Sequence, residues 1–256
     1  MGYVRFDAGA FFMPSDDQLK MVRRFSMNFK WLGPVALLAA LFVGDQIRIN
    51  RPGHKYRLTI EVETPEGRKA GSSIISVHPD RGYSRQGHTS IKGDAVVVDL
   101  GGGKNLISLL AHIDQGLDLE AMNYIALRAY NAAGRAVSFN QMSRMTGEVP
   151  VTGALVPVLV TFGALSDPAS MRLASPDDLR AALGQGFKLH GISIEVVRNG
   201  LWPVDLGGPL GEPVSRGIES KLLWLNADDG PAATALKAAG LAGGEKIAAK
   251  EVFTRK

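Results

Sequence analysis

The chain has 256 residues and an average share of apolar side chains, enough to build one sizeable core or two small ones, which excludes a wholly disordered chain. Its net charge of +4, with an isoelectric point near 9.3, is spread over interleaved acids and bases, and this argues against a nucleic-acid surface. The lack of any cysteine removes disulfides, thiolate zinc sites, thiol nucleophiles and lipid attachment through sulfur, and it leaves the redox compartment open.

Residues 1–26 are polar and mixed and show no core-facing period. Met21 and Met27 are alternative initiators, since a start at either sets a short basic region, including Lys30, directly before the next segment. That segment, WLGPVALLAALFVG over residues 31–44, carries no charge and lies between Lys30 and Asp45. It is shorter than the roughly 20 apolar residues of a full membrane span and has the length of a signal-peptide apolar region. Leu41, Phe42 and Val43 break the small-residue pattern of a cleavage site, so retention and removal both stay open. We expect an apolar helix over residues 31–47, with Trp31, Leu37, Leu38, Leu41 and Phe42 as membrane contacts. Lys20, Arg23, Arg24 and Lys30 put residues 1–30 in the cytoplasm and export the rest, by the positive-inside rule. The competing reading is a cytosolic protein in which this helix packs into the core.

The body of the chain is organised around residues 55–77, KYRLTIEVETPEGRKAGSSIISV. Tyr56, Leu58, Ile60 and Val62 alternate with Arg57, Thr59, Glu61 and Glu63, the period of a half-buried strand, and Thr64-Pro65-Glu66-Gly67 supplies the turn of a hairpin. Residues 78–93 read as an exposed polar loop. Residues 94–110, DAVVVDLGGGKNLISLL, repeat the pattern as a second hairpin. Leu119, Met122, Ile125, Ala126 and Ala129 share one helical face over residues 117–130. A buried strand is expected over residues 156–165. Ser175-Pro176-Asp177-Asp178 reads as a helix start, with Ser175 as the cap, and the helix stops at Gly184. Residues 187–198 alternate as a strand, residues 203–213 form a Pro/Gly-rich loop, and residues 214–225 a short helix with Ile218, Leu222 and Leu225 inward. The folded domain is expected over residues 54–227, with residues 228–256 a tail or weak helix. Locally paired strands with isolated short helices predict an α+β domain, mainly antiparallel sheet or sandwich, preceded by the apolar helix.

Few residues suggest chemistry. Gly101-Gly102-Gly103-Lys104 resembles a phosphate loop only in composition, because Asn105 stands where Ser or Thr is required and the glycine spacing fails, so a hairpin turn is expected. His78, Asp80 and His88 share one polar loop and are the candidate metal ligands, without the register of a known ligand motif. Gly71-Ser72-Ser73-Ile74 lacks the frame of a nucleophile elbow. Asp177 and Asp178 are explained by the helix dipole. His190 reads as a packed or edge residue, and His54, His112 and Asp205 have no role that the sequence assigns. No cofactor is expected.

Three of these stretches, KYRLTIEVETPEGRKAGSS, DAVVVDLGGGKNLISLL and SPDDLRAALGQGFKLHGISIEVV, resemble a group of uncharacterised proteobacterial proteins in which an N-terminal apolar segment precedes a YRLTVEVETPEG-like hairpin. The likeness runs over most of residues 30–225 and carries no catalytic residue. It implies an exported or membrane-anchored bacterial domain, held by the helix itself because no cysteine follows the apolar stretch. The resulting expectation is a domain of the bacterial envelope, attached to the inner membrane with its C-terminal part periplasmic, or periplasmic if cleaved. It would act by binding or structural interaction, with an envelope protein as possible partner. The alternative is an envelope hydrolase whose site is assembled from residues distant in sequence.

Overall fold

The computed structural model describes residues 32–81, 88–241 and 248–256. The chain divides into two units, Met1–Gln46 and Ile47–Lys256. The basic region over residues 1–30, and Trp31, lie outside the described residues.

Helix α1, Leu32–Asn50, runs six residues past the uncharged stretch, with Arg48 in the last turn, where a cation suits the negative end of the helix dipole. It is long and apolar enough to cross a membrane by length and composition. None of its residues is buried, and Leu37, Leu38, Leu41 and Phe42 are all well exposed. This corrects the reading of a helix packed into the core.

In the second unit, β1 (His54–Thr64) and β2 (Gly67–His78) form the expected hairpin, with Thr64 opposite Gly67. Gly67 takes a φ of 115°, which only glycine adopts without strain, and the Thr64 hydroxyl donates to its carbonyl at 2.7 Å. Tyr56, Leu58, Ile60 and Val62 are buried and the alternate residues face outward. Next come β3 (Ser90–Asp94), β4 (Val96–Gly101) and β5 (Lys104–Ser108), the last two joined by the glycine turn at positive φ. A small hairpin of β6 (His112–Ile113) and β7 (Leu117–Asp118) leads into a 3-10 turn over Glu120–Tyr124 and helix α2 (Ile125–Ala132). Met122, Ile125, Ala126 and Ala129 are buried along the expected face.

The remaining elements are β8 (Glu148–Pro150), β9 (Leu159–Phe162), β10 (Met171–Ala174), α3 (Arg180–Leu183), β11 (Lys188–Val197), α4 (Ile218–Lys221), α5 (Gly230–Ala238) and β12 (Thr254–Arg255). Helix α3 starts later than expected. The Asp178 amide donates to the Ser175 carbonyl in a turn, and the Asp178 carboxylate pairs with Arg180 at 3.0 Å instead of meeting a helix N-terminus.

Six strands form one sheet in the order β12-β3-β2-β1-β11-β8, and four form a second in the order β10-β9-β5-β4. All recorded pairings are antiparallel. The sheets meet where β4 crosses β2 and β1. There the approach is backbone to backbone: a Cβ on Gly71 would lie 2.5 Å from the Val97 carbonyl oxygen. The core between the sheets holds the inward residues of β1 together with Ile75, Val77, Val96, Val98 and Leu106.

Residues 228–256, expected as a tail or weak helix, contain a helix, and their described residues pack into the unit. Helix α5 buries Ala232, Ala235 and Leu236, Val252 and Phe253 are fully buried, and β12 pairs with β3. The buried Asp94 carboxylate fixes this arrangement, accepting from Thr254 Oγ1 at 2.6 Å and from the Ile218 amide at 2.9 Å. The alanine and glycine content of this stretch suits close helix packing, and its few large side chains supply the anchors.

Candidate functional site

The three candidate metal ligands do not form a ligand set. His78 ends β2 as a buried residue whose Nδ1 donates to the Asn50 carbonyl at 2.9 Å. A carbonyl can only accept, so the proton sits on Nδ1 and Nε2 accepts from the Ser76 hydroxyl at 2.8 Å. Both ring nitrogens are therefore engaged. Asp80 and His88 are exposed, and among the described residues no group of three or more His, Asp or Glu could hold a metal ion.

The Ser76–His78–Asn50 chain has the order of a nucleophile, a base and an orienting acceptor. Ser76 is only 1 % exposed, however, and the edge of Trp202 lies against the His78 ring at 5.9 Å. Burial also lowers the His78 pKa to about 4, which makes it a weak base. A substrate has no route to this serine.

The other residues singled out in the sequence serve the fold. Lys104 donates to the Leu183 carbonyl and stands over the Phe187 ring at 4.5 Å, so the glycine turn faces no ligand through it. Ser73 donates to the Asp94 carbonyl at 2.6 Å, while Ser72 is exposed. Burial lowers the His54 pKa to about 4, and its ring packs edge-on against Phe139. His190 sits at an irregularity of β11 opposite Glu61 and Val62, and its Nδ1 lies 3.0 Å from Glu63. That hydrogen bond holds the Glu63 carboxyl below its usual range. Beside it Ser193 donates to Glu148, which leaves a shallow, acid-lined groove with no buried nucleophile.

The cavity best equipped for a ligand lies at the β3–β12 edge. It has a volume of about 580 Å3 and is lined by Ser90 and Lys92 of β3, Arg255 and Lys256 at β12, Glu219 of α4, and Asn123, Lys250 and Glu251 from the flanking turns. Arg255 is its central cation. Its Nη2 donates to the carbonyls of Leu110 at 2.7 Å and Leu119 at 3.0 Å, and its Nε to the Glu251 carbonyl at 3.1 Å. No carboxylate among the described residues forms an ion pair with it, and burial lowers its pKa. Lys256 pairs with Glu219 at 2.8 Å, Lys250 donates to the Ala227 carbonyl, and Lys92 Nζ makes no hydrogen bond among the described residues. Four cations thus face two carboxylates. Such a wall favours an anionic group.

Sequence reasoning missed this site because its cations come from two strands far apart in the chain and from a segment that reads as a tail or weak helix. No family model matches the chain, and neither the curated proteins nor the solved structures contain a match.

Proposed function

We propose that the protein is a membrane-tethered or exported domain of the bacterial envelope that acts by binding, and that the cavity around Arg255 receives an anionic group of its ligand. The observation that carries the tether is α1, an apolar helix of 19 residues with no buried residue. A stripe of Leu37, Leu38, Leu41 and Phe42 facing water is costly, and a bilayer or an export machinery removes that cost. The cationic flank of residues 20–30 supports a periplasmic domain by the positive-inside rule. The likeness of the first hairpin to exported proteobacterial proteins agrees with this placement.

The test is fractionation of cells expressing the full chain with a C-terminal tag, together with protease accessibility in spheroplasts and intact-mass measurement. A tag digested from outside, on a chain that keeps residues 31–44, establishes a tethered periplasmic domain. A mass that begins near Gly44 establishes a soluble periplasmic one. A protected tag in the cytosolic fraction overturns the proposal.

A further inference from the structure

Residues 200–211 form a closed loop on the same end of the second unit as Asn50. The neck is pinched by two glycines. A Cβ on Gly211 would lie 2.5 Å from Gly200 Cα, and one on Gly200 would collide with the Leu210 carbonyl, and both residues have positive φ. Inside the neck Asp205 is held from two sides, by Lys55 Nζ at 2.5 Å and by the Val214 amide at 2.9 Å. Trp202 turns inward against His78. Having fixed its polar and aromatic groups in this way, the loop presents Leu201, Val204, Leu206 and Leu210 outward, between 40 and 61 % exposed.

A single exposed leucine is ordinary, but a cluster of four on one tethered loop marks a surface that something covers. The loop adjoins the residues by which the chain leaves α1. Asn199 donates to the Gly53 carbonyl at 3.3 Å, and His78 joins Trp202 to Asn50, the last residue of α1. Arg51 and Arg198 are exposed in the same region, and Arg81 donates to the Arg51 carbonyl at 2.8 Å. Exposed apolar side chains with arginines near the base of their loop match the interface of a bilayer that contains anionic headgroups.

We infer that the loop over residues 200–211 is a second membrane contact, in which Leu201, Val204, Leu206 and Leu210 enter the interfacial layer while Arg51, Arg81 and Arg198 meet anionic headgroups. The inference rests on the reading of α1 as a membrane helix. Two points of attachment would fix how the domain faces the membrane, where a lone helix would leave it free to swing.

The absence of native cysteine makes the test direct. Full-length chains carrying Leu206→Cys or Leu210→Cys are labelled with an environment-sensitive fluorophore and reconstituted into vesicles of phosphatidylcholine with and without phosphatidylglycerol. Leu41→Cys reports on α1, and Leu173→Cys, exposed on β10, is the water-facing control. The expected result is a blue-shifted emission at positions 206 and 210, quenched by lipids labelled near the headgroup and further shifted by phosphatidylglycerol, with position 173 unchanged. If position 41 is quenched and positions 206 and 210 behave like position 173, the loop inference is overturned, the tether stands, and the apolar cluster belongs to a protein partner. If positions 206 and 210 are quenched and position 41 is not, the tether fails while the loop contact holds. If none responds, both fail.

Discussion

Lys55, the second residue of β1, donates from its Nζ to Asp205 Oδ1 across 150 positions of sequence and 2.5 Å of space. The lysine side chain is 3 % exposed and its other recorded partner is the Glu212 carbonyl. Removing Asp205 therefore strands a buried ammonium. Asp205→Ala should lower stability by about 2–3 kcal/mol, below the full cost of breaking a buried pair because the aspartate reaches solvent. Lys55→Met in that background should recover part of the loss. Urea unfolding of the two single variants and the double variant measures the coupling.

Gly71→Ala should destabilise by about 1–3 kcal/mol, because the added methyl meets the Val97 carbonyl oxygen at 2.5 Å and neither sheet can yield without disturbing the core. Gly191→Ala is the control. No atom lies within 4 Å of the methyl it would add, so its effect should stay within about 0.5 kcal/mol. Equal melting temperatures for the two variants would contradict the observed sheet spacing.

His54 and His78 are both held near pKa 4 by burial, below their ordinary 6.5. Between these limits the unfolded chain takes up protons that the folded chain refuses, so stability is full above about pH 6.5 and falls as the pH drops toward 4. For His54 the loss from pH 7.5 to pH 4.5 should be on the order of 2–3 kcal/mol. His78, with the same lowered pKa, adds a loss in the same direction over the same range. His54→Leu, which preserves an apolar group against Phe139, should flatten this acid limb in denaturation measured across pH.

If the Arg255 cavity holds an anion, titration calorimetry with inorganic pyrophosphate should show binding that weakens with added salt. Lys92→Ala should weaken it about tenfold, as expected for loss of one charged hydrogen bond. Lys237→Ala, on α5 and away from the lining residues, should leave it unchanged. Arg255→Gln should also reduce stability, because the Leu110 and Leu119 carbonyls lose their donor.

Much of the fold was legible from side-chain periodicity. The alternation in residues 55–64, the glycine turn after β4, and the inward set Ile218, Leu222 and Leu225 all appear as read, since each reports burial through local spacing. What escaped were contacts carried by single residues over long separations. Asp205 has no local partner to announce its role, and Asp94 meets Thr254 and Ile218 only after the sheets have closed. The packing of residues 228–256 was hidden for a related reason: small residues look weak as an isolated helix, yet they permit the close packing that α5 uses. The Arg255 cavity inherits that blindness, for about half of its wall belongs to the same segment.

The pairing of β3 with β12 has a kinetic corollary. Thr254 reaches Asp94 across 160 positions, and Phe253 fills core space beside the smaller sheet. A growing chain that has not yet released these residues must wait with Asp94 Oδ1 lacking its Thr254 donor and an edge of the large sheet bare. Folding to the native state thus becomes a late event with high contact order. Chains interrupted before Phe253 should be open to proteolysis over their whole length and not merely shortened by one strand.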